Sequence, residues 1–169
     1  MQAEVQRCKH IVSDILHSAG QPRGEAMESV AAGPFLDLVA EEWRPTHPQV
    51  PLDYDREGAG NAVIAVDPAL RQAIWNLLDN SAEVSPAVRL RATIEEGMLA
   101  IAVSDFGPGF APDTLAAVGQ IYQSTKGAGH GLGLFLATNV ARRLGGRLDA
   151  RNLPFGGAEV RLLLPVKPQ

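Results

Sequence analysis

Asn76 and Asn80 stand one helical turn apart, and two neutral carboxamides so placed can share a hard cation through their oxygens without adding negative charge. Such ligands suit a Mg²⁺ ion that phosphate also binds. Asp105 comes next, followed by Gly107 and Gly109, so a carboxylate sits beside main chain that a ligand can approach closely. There it can accept a hydrogen bond from an exocyclic amine such as that of adenine. Gly129, Gly131 and Gly133 then precede an apolar helical pattern. A glycine-rich turn into a helix N-terminus presents bare N–H groups and the positive end of the helix dipole to an anion. Cation ligand, amine acceptor and phosphate cradle, in that order, make an ATP pocket. The third segment has neither the G-x-G-x-x-G of a dinucleotide site nor the Gly-Lys-Ser/Thr that ends a P-loop. Taken singly, the residues also admit plainer readings: an asparagine pair on a solvated helix face, and an aspartate capping a turn.

The elements that must position these residues are written as periodicity. Asp67-Pro68 marks a helix start, with Asp at the N-cap and Pro at the first helical position. Leu70, Ile74, Leu77 and Leu78 give that helix one apolar face. Val88, Leu90, Ala92 and Ile94 alternate with polar residues, Glu96-Gly97 supplies a turn, and Leu99, Ile101 and Val103 resume the alternation. Asp105 keeps the same parity, which predicts a carboxylate on the apolar face, where it costs on the order of several kcal/mol unless paired. Leu132, Leu134, Phe135, Leu136, Val140 and Leu144 form the stripe of a further helix, stopped by Gly145-Gly146. A last hairpin joins 147–152 to 158–164, and Pro45, Pro48 and Pro51 mark a loop. These elements predict an α/β (α+β) two-layer sandwich. A mixed β-sheet is covered on one face by three helices, with ATP on the helix side.

With 169 residues and 46% hydrophobic content, the chain can bury one full core. A net charge of −4, without a basic cluster interleaved with aromatics, argues against a nucleic-acid binder. No run is long enough to span a bilayer and no signal peptide is visible, so a cytoplasmic location is expected. Cys8 is the only cysteine, which excludes an internal disulfide. Basic neighbours Arg7, Lys9 and His10 favour its thiolate and make it a candidate redox-reactive group. Its place on the stripe Val5, Cys8, Ile11, Val12, Ile15 and Leu16 equally suits a buried thiol. That stripe predicts a helix over 1–19, followed by a Gly- and Pro-bearing linker over 20–30 and a globular domain over 31–169.

The three segments together resemble the N, G1 and G2 boxes of the sensor histidine kinase catalytic domain. This ATP-binding fold is shared with DNA gyrase, MutL-type repair proteins and heat-shock chaperones. The likeness covers roughly residues 31–166 and is greatest to RegB/PrrB-type redox-responsive kinases, through residues 119–126 and 131–137. Gln6-Arg7-Cys8-Lys9 also resembles the redox box of that group.

The resemblance implies roles position by position. Asn80 would coordinate Mg²⁺ and reach the phosphates, with Asn76 in support. Asp105 would bind the adenine amine, while Gly107 and Gly109 shape the base pocket. Residues 110–129 would form a mobile lid bearing Tyr122, Thr125, Lys126 and Gly129, with Lys126 the cationic partner for phosphate. Gly131, Leu132 and Gly133 would meet phosphate through the main chain, Leu134 completing the box. Glu83 stands where many such kinases carry a lysine, and could meet a ribose hydroxyl or hold metal through water. The gyrase and chaperone branch places a glutamate general base where this chain has Asn76, which implies transfer to an external acceptor rather than hydrolysis.

On that reading the chain is the ATP-binding part of a protein-histidine kinase. It would donate the γ-phosphoryl group to a histidine on a dimerisation domain, for relay to a response regulator. Residues 1–19 would be the tail of a dimerisation helix, and the parent a homodimer compatible with an inner-membrane anchor. The acceptor itself is missing. His17 has Pro22 at the right distance, but Ser18 replaces the acid and Gly20 with Pro22 would break the helix. His10, His47 and His130 read as ordinary surface or loop histidines. No autophosphorylation by the chain alone is expected. The alternatives are a conformational-switch ATPase of the same superfamily and a nucleotide-free interaction module.

Overall fold

The computed structural model describes residues 27–118 and 130–168. Along the chain run β1 (Glu28–Ala31), α1 (Ala32–Trp43), β2 (Leu52–Asp55), β3 (Val63–Val66) and α2 (Pro68–Val84). They are followed by β4 (Val88–Glu95), β5 (Met98–Asp105), α3 (Pro112–Ala117), α4 (His130–Arg143), β6 (Arg147–Asn152) and β7 (Ala158–Pro165). A five-stranded sheet has the order β2-β4-β5-β7-β6. Its β2–β4 pair is parallel and the others are antiparallel, so the expected mixed sheet is present.

Register aligns the apolar rows. Leu90, Val103, Val160 and Ala150 lie in one rank, and Ala92, Ile101, Leu162 and Leu148 in the next. These ranks meet Leu36, Val39 and Trp43 of α1, Leu70, Ile74, Leu77 and Leu78 of α2, and Leu134, Ala137 and Val140 of α4 in one core. Three helices thus cover one sheet face, as the alternation implies. Ile94 departs from its parity and is exposed. Strand β2 ends at Asp55, opposite Arg91, so β4 has no outer neighbour to cover Ile94.

Strand β1 pairs antiparallel with β3 in a separate two-stranded sheet, Val30 opposite Ile64. Residues 28–30, read from the sequence as the end of a linker, belong to this strand, and the helix expected over 1–19 lies outside the described residues. Helix α1 has no side-chain cap. Its first N–H groups are satisfied instead by main-chain carbonyls, Ala32 N to Ala62 O at 2.8 Å and Gly33 N to Gly60 O at 3.0 Å. On the same helix, Asp37 accepts from Tyr54 Oη at 2.8 Å and from Arg56 Nε at 2.7 Å, tying α1 to β2. Burial, then this bond to Asp37, pushes the Tyr54 phenol well above its ordinary range.

Helix α2 carries the asparagines, and both its ends are fixed. At the start, Asp67 caps the N–H of Leu70 at 2.9 Å with Pro68 at the first position, as expected. Asp67 also pairs with Arg143 of α4 at 2.8 Å. Asp67→Ala is therefore expected to lower stability by about 1–2 kcal/mol in urea unfolding, whereas Arg143→Gln, which spares the cap, should cost less than about 1 kcal/mol. Helix α4 ends in a Schellman arrangement. Gly146 N bonds Ala141 O at 2.7 Å and Gly145 N bonds Arg142 O at 3.0 Å, with Gly145 at φ +83°.

Candidate nucleotide site

A cavity of about 250 Å³ opens between α2, the sheet and the segment after β5. Its walls include Leu77, Asn80, Ser81 and Val84 from α2, and Val103, Asp105, Ala158 and Val160 from the sheet. Phe110, Ala111 and Thr114 close one side and Leu134 of α4 another. The lining is largely apolar with few polar groups, the composition of a small-molecule site.

Asp105 shows how the parity argument and the turn argument both hold. It ends β5 on the core side and is only 6% exposed. Its Oδ1 accepts from Gly107 N at 2.9 Å, the expected turn bond, and from Ala158 N at 3.2 Å across the sheet. Two backbone donors therefore offset the burial of the carboxylate. Oδ2 has no partner among the described residues, and Asp105 lines the cavity. It is a fixed acceptor on the cavity wall. The end of α2 braces the same loop. Ser85 Oγ accepts from Phe106 N at 3.0 Å and donates to Ala87 O at 2.6 Å. A Cβ at Gly107 would lie 2.7 Å from Val84 O, so the glycine is required by that approach.

Asn80 lies in the cavity with Asp105. A Cβ at Gly133 would stand 2.8 Å from Asn80 Nδ2, so the glycine lets the first turn of α4 close on the carboxamide. The helix begins at His130, which places Gly131, Leu132 and Gly133 within its first turn rather than in a loop before it. The adjacent residue, Asp79, ties α2 to the end of α1. Trp43 Nε1 donates to Asp79 Oδ1 at 2.9 Å, and His47, stacked on Trp43 at 4.1 Å between ring centroids, approaches Asp79 at 3.3 Å. His47 is a loop histidine, as expected, but a packed one.

The structure separates Asn76 from Asn80. Asn76 accepts from Gln72 Nε2 at 3.0 Å and lines a second cavity of about 150 Å³ with Leu136, Asn139 and Val140. Glu83 is exposed and does not line the Asp105 cavity. Tyr122, Thr125, Lys126, Gly129 and Cys8 lie outside the described residues. Among the described residues, no group of three or more His, Cys, Asp or Glu side chains is placed to hold a metal ion. A Mg²⁺ ion at Asn80 would take most of its oxygens from phosphate and water, which fits a carboxamide as the protein ligand.

Three contributors were not legible in advance: Ser85, Asn152 and Gly157. Asn152 contacts the main chain of Phe110. Gly157 has φ +90°, and a Cβ there would meet Asp105 O at 1.9 Å. The doublet Gly156-Gly157 was the available signal, since paired glycines mark close approach of main chain.

Residues 65–168 match the family described as Histidine kinase-, DNA gyrase B-, and HSP90-like ATPase. The chain belongs to this family. It is 38% identical over 173 residues to the C4-dicarboxylate transport sensor protein DctB of Pseudomonas aeruginosa, covering 94% of the chain and 28% of that protein. With the sensor protein kinase CarS of the same organism it shares 36% identity over 140 residues, 80% of the chain and 28% of CarS. The chain thus spans under a third of the length of these relatives. Full-length ShkA, solved in complex with AMPPNP, superposes with a TM-score of 0.76 at 27% identity, over 95% of the chain and 36% of ShkA. The ATP-binding domain of PrrB from Mycobacterium tuberculosis superposes with a TM-score of 0.67 at 25% identity, over 85% of the chain and all of that domain. The chain is homologous to the catalytic ATP-binding domains of sensor histidine kinases. Among the described residues no helix is long and apolar enough to cross a membrane.

Proposed function

We propose that this histidine kinase-type domain binds Mg·ATP and donates the γ-phosphoryl group to a histidine on a separate dimerisation domain, for relay to a response regulator. The observation that carries the reading is Asp105. Its Oδ1 is saturated by main chain, and its other oxygen is free among the described residues on a largely apolar cavity that also holds Asn80. An acceptor without a proton suits the amine of adenine and disfavours the carbonyl of guanine. Asn80 would hold Mg²⁺ beside the phosphates, and the first turn of α4 would present main-chain N–H groups to them. Bound Mg²⁺ would neutralise charge on the β- and γ-phosphates during transfer.

The rest of the cavity supports transfer over hydrolysis. Among the described residues that line it, Asp105 is the sole carboxylate. Asn76, where a hydrolytic relative would place a general base, accepts a bond from Gln72 outside this cavity. Calorimetric titration with Mg·ATP should give one saturable site, weakened when EDTA removes Mg²⁺. Labelled phosphate should reach a dimerisation domain added in trans, and not the chain alone. Absence of saturable binding by the folded chain would sink the proposal. Rapid phosphate release without acceptor would favour the switch-ATPase alternative.

A further inference from the structure

We propose that Asn152 is a positioning residue for the nucleotide, holding the cavity wall formed by Phe110, Ala111 and Thr114 at a set distance from Asp105. The inference rests on the Mg·ATP reading above. Asn152 Oδ1 accepts from Phe110 N at 2.7 Å, and its Nδ2 donates to Phe110 O at 2.9 Å. One carboxamide thus reads both polar groups of a single residue, as a neighbouring strand would. Of the small polar side chains, Asn alone offers an acceptor and a donor in this spacing. Asp would repel the carbonyl, and Ser has one oxygen for both tasks.

The other side of the contact is shaped for it. Gly109 has φ +81°, and a Cβ there would lie 2.8 Å from Asn152 Oδ1. Asn152 is also tied to the base acceptor. It ends β6 directly opposite Ala158, whose N–H bonds Asp105 Oδ1. A single rung of the β6–β7 ladder therefore anchors Asp105 on one strand and Phe110 on the other. Asn152 itself is exposed and does not line the cavity, so neither core packing nor ligand contact explains the residue.

The test uses the full chain with Asn152→Ala and Asn152→Asp. In the nucleotide-free protein, Asn152→Ala should speed hydrogen exchange at the Phe110 amide by about tenfold while amides of the β4–β5 ladder stay unchanged. Mg·ATP affinity should fall by about tenfold, the scale of two partly exposed hydrogen bonds. Asn152→Asp keeps the bond from Phe110 N and should fall between wild type and Asn152→Ala. If wild type binds Mg·ATP and Asn152→Ala binds it equally well, the positioning role is refuted while the binding reading stands. Faster exchange across β4–β5 would make Asn152 a general structural residue and equally refute it. If wild type itself does not bind, the functional reading fails and this inference with it.

Discussion

Asp105→Asn is expected to weaken Mg·ATP binding by a factor on the order of 10² to 10⁴, while leaving the fold intact. The carboxamide oxygen can still accept from Gly107 N and Ala158 N, because both bonds go to one oxygen. The NH₂ group then replaces the free carboxylate oxygen and points a donor at the adenine amine. A charge-assisted bond is lost, about 1.5–3 kcal/mol, and two donors are left facing each other in a confined space, about 1–3 kcal/mol more. The same geometry predicts a change of preference. A purine with a carbonyl in place of the amine should lose far less affinity, or gain some, in the variant. Titrations of both proteins with Mg·ATP and Mg·GTP check this. Equal weakening toward both nucleotides would mean that Asp105 supports the loop without reading the base.

Gly157→Ala should damage fold and site together. The added carbon would fall 1.9 Å from Asp105 O at a φ of +90°, so main chain must move on one side or the other. The expected loss is about 3 kcal/mol or more, which for a chain of this size lowers Tm by roughly 10 °C. Mg·ATP binding should fall as well, because the displaced strand carries the Ala158 N–H that holds Asp105. Gly156→Ala is the control. It has φ +102° but nothing within 4 Å of the added carbon, so it should cost only about 1–2 kcal/mol of backbone strain and leave binding unchanged. Thermal unfolding and titration of the two variants side by side separate strain from collision.

What was legible in the sequence followed from periodicity over long elements. Eight-residue strands β4 and β5 carry enough alternation to fix parity, and parity placed Asp105 on the buried face. Asp67-Pro68 and Gly145-Gly146 marked true helix ends because each uses a local bond. Strands β1, β2 and β3 were invisible because four residues hold too little pattern to set against a loop. The asparagine pair shows a subtler limit. Spacing of four puts both side chains on one side of α2, yet α4 crosses that side. Gly133 meets Asn80, while Leu136, Asn139 and Val140 lie by Asn76, so the two asparagines open on different cavities. Asn152 and Ser85 grip main chain 42 and 21 residues away, and no one-dimensional pattern records a side chain that reads distant backbone.

Among the described residues the five-stranded sheet ends in β2 on one side and β6 on the other, and outermost strands are where a neighbouring sheet could add. Two copies held on one scaffold, as the proposed dimeric parent would hold them, meet at effective concentrations of about a millimolar. Strand-to-strand joining would then be a standing hazard. The chain answers with brevity at one border and with charge at both. Strand β2 is four residues long and shows Asp53 and Asp55 to solvent, while β6 shows Arg147, Asp149 and Arg151. Neither border is a flat apolar template onto which a second sheet can grow. In the proposed dimeric parent, such borders would keep two neighbouring copies from joining edge to edge.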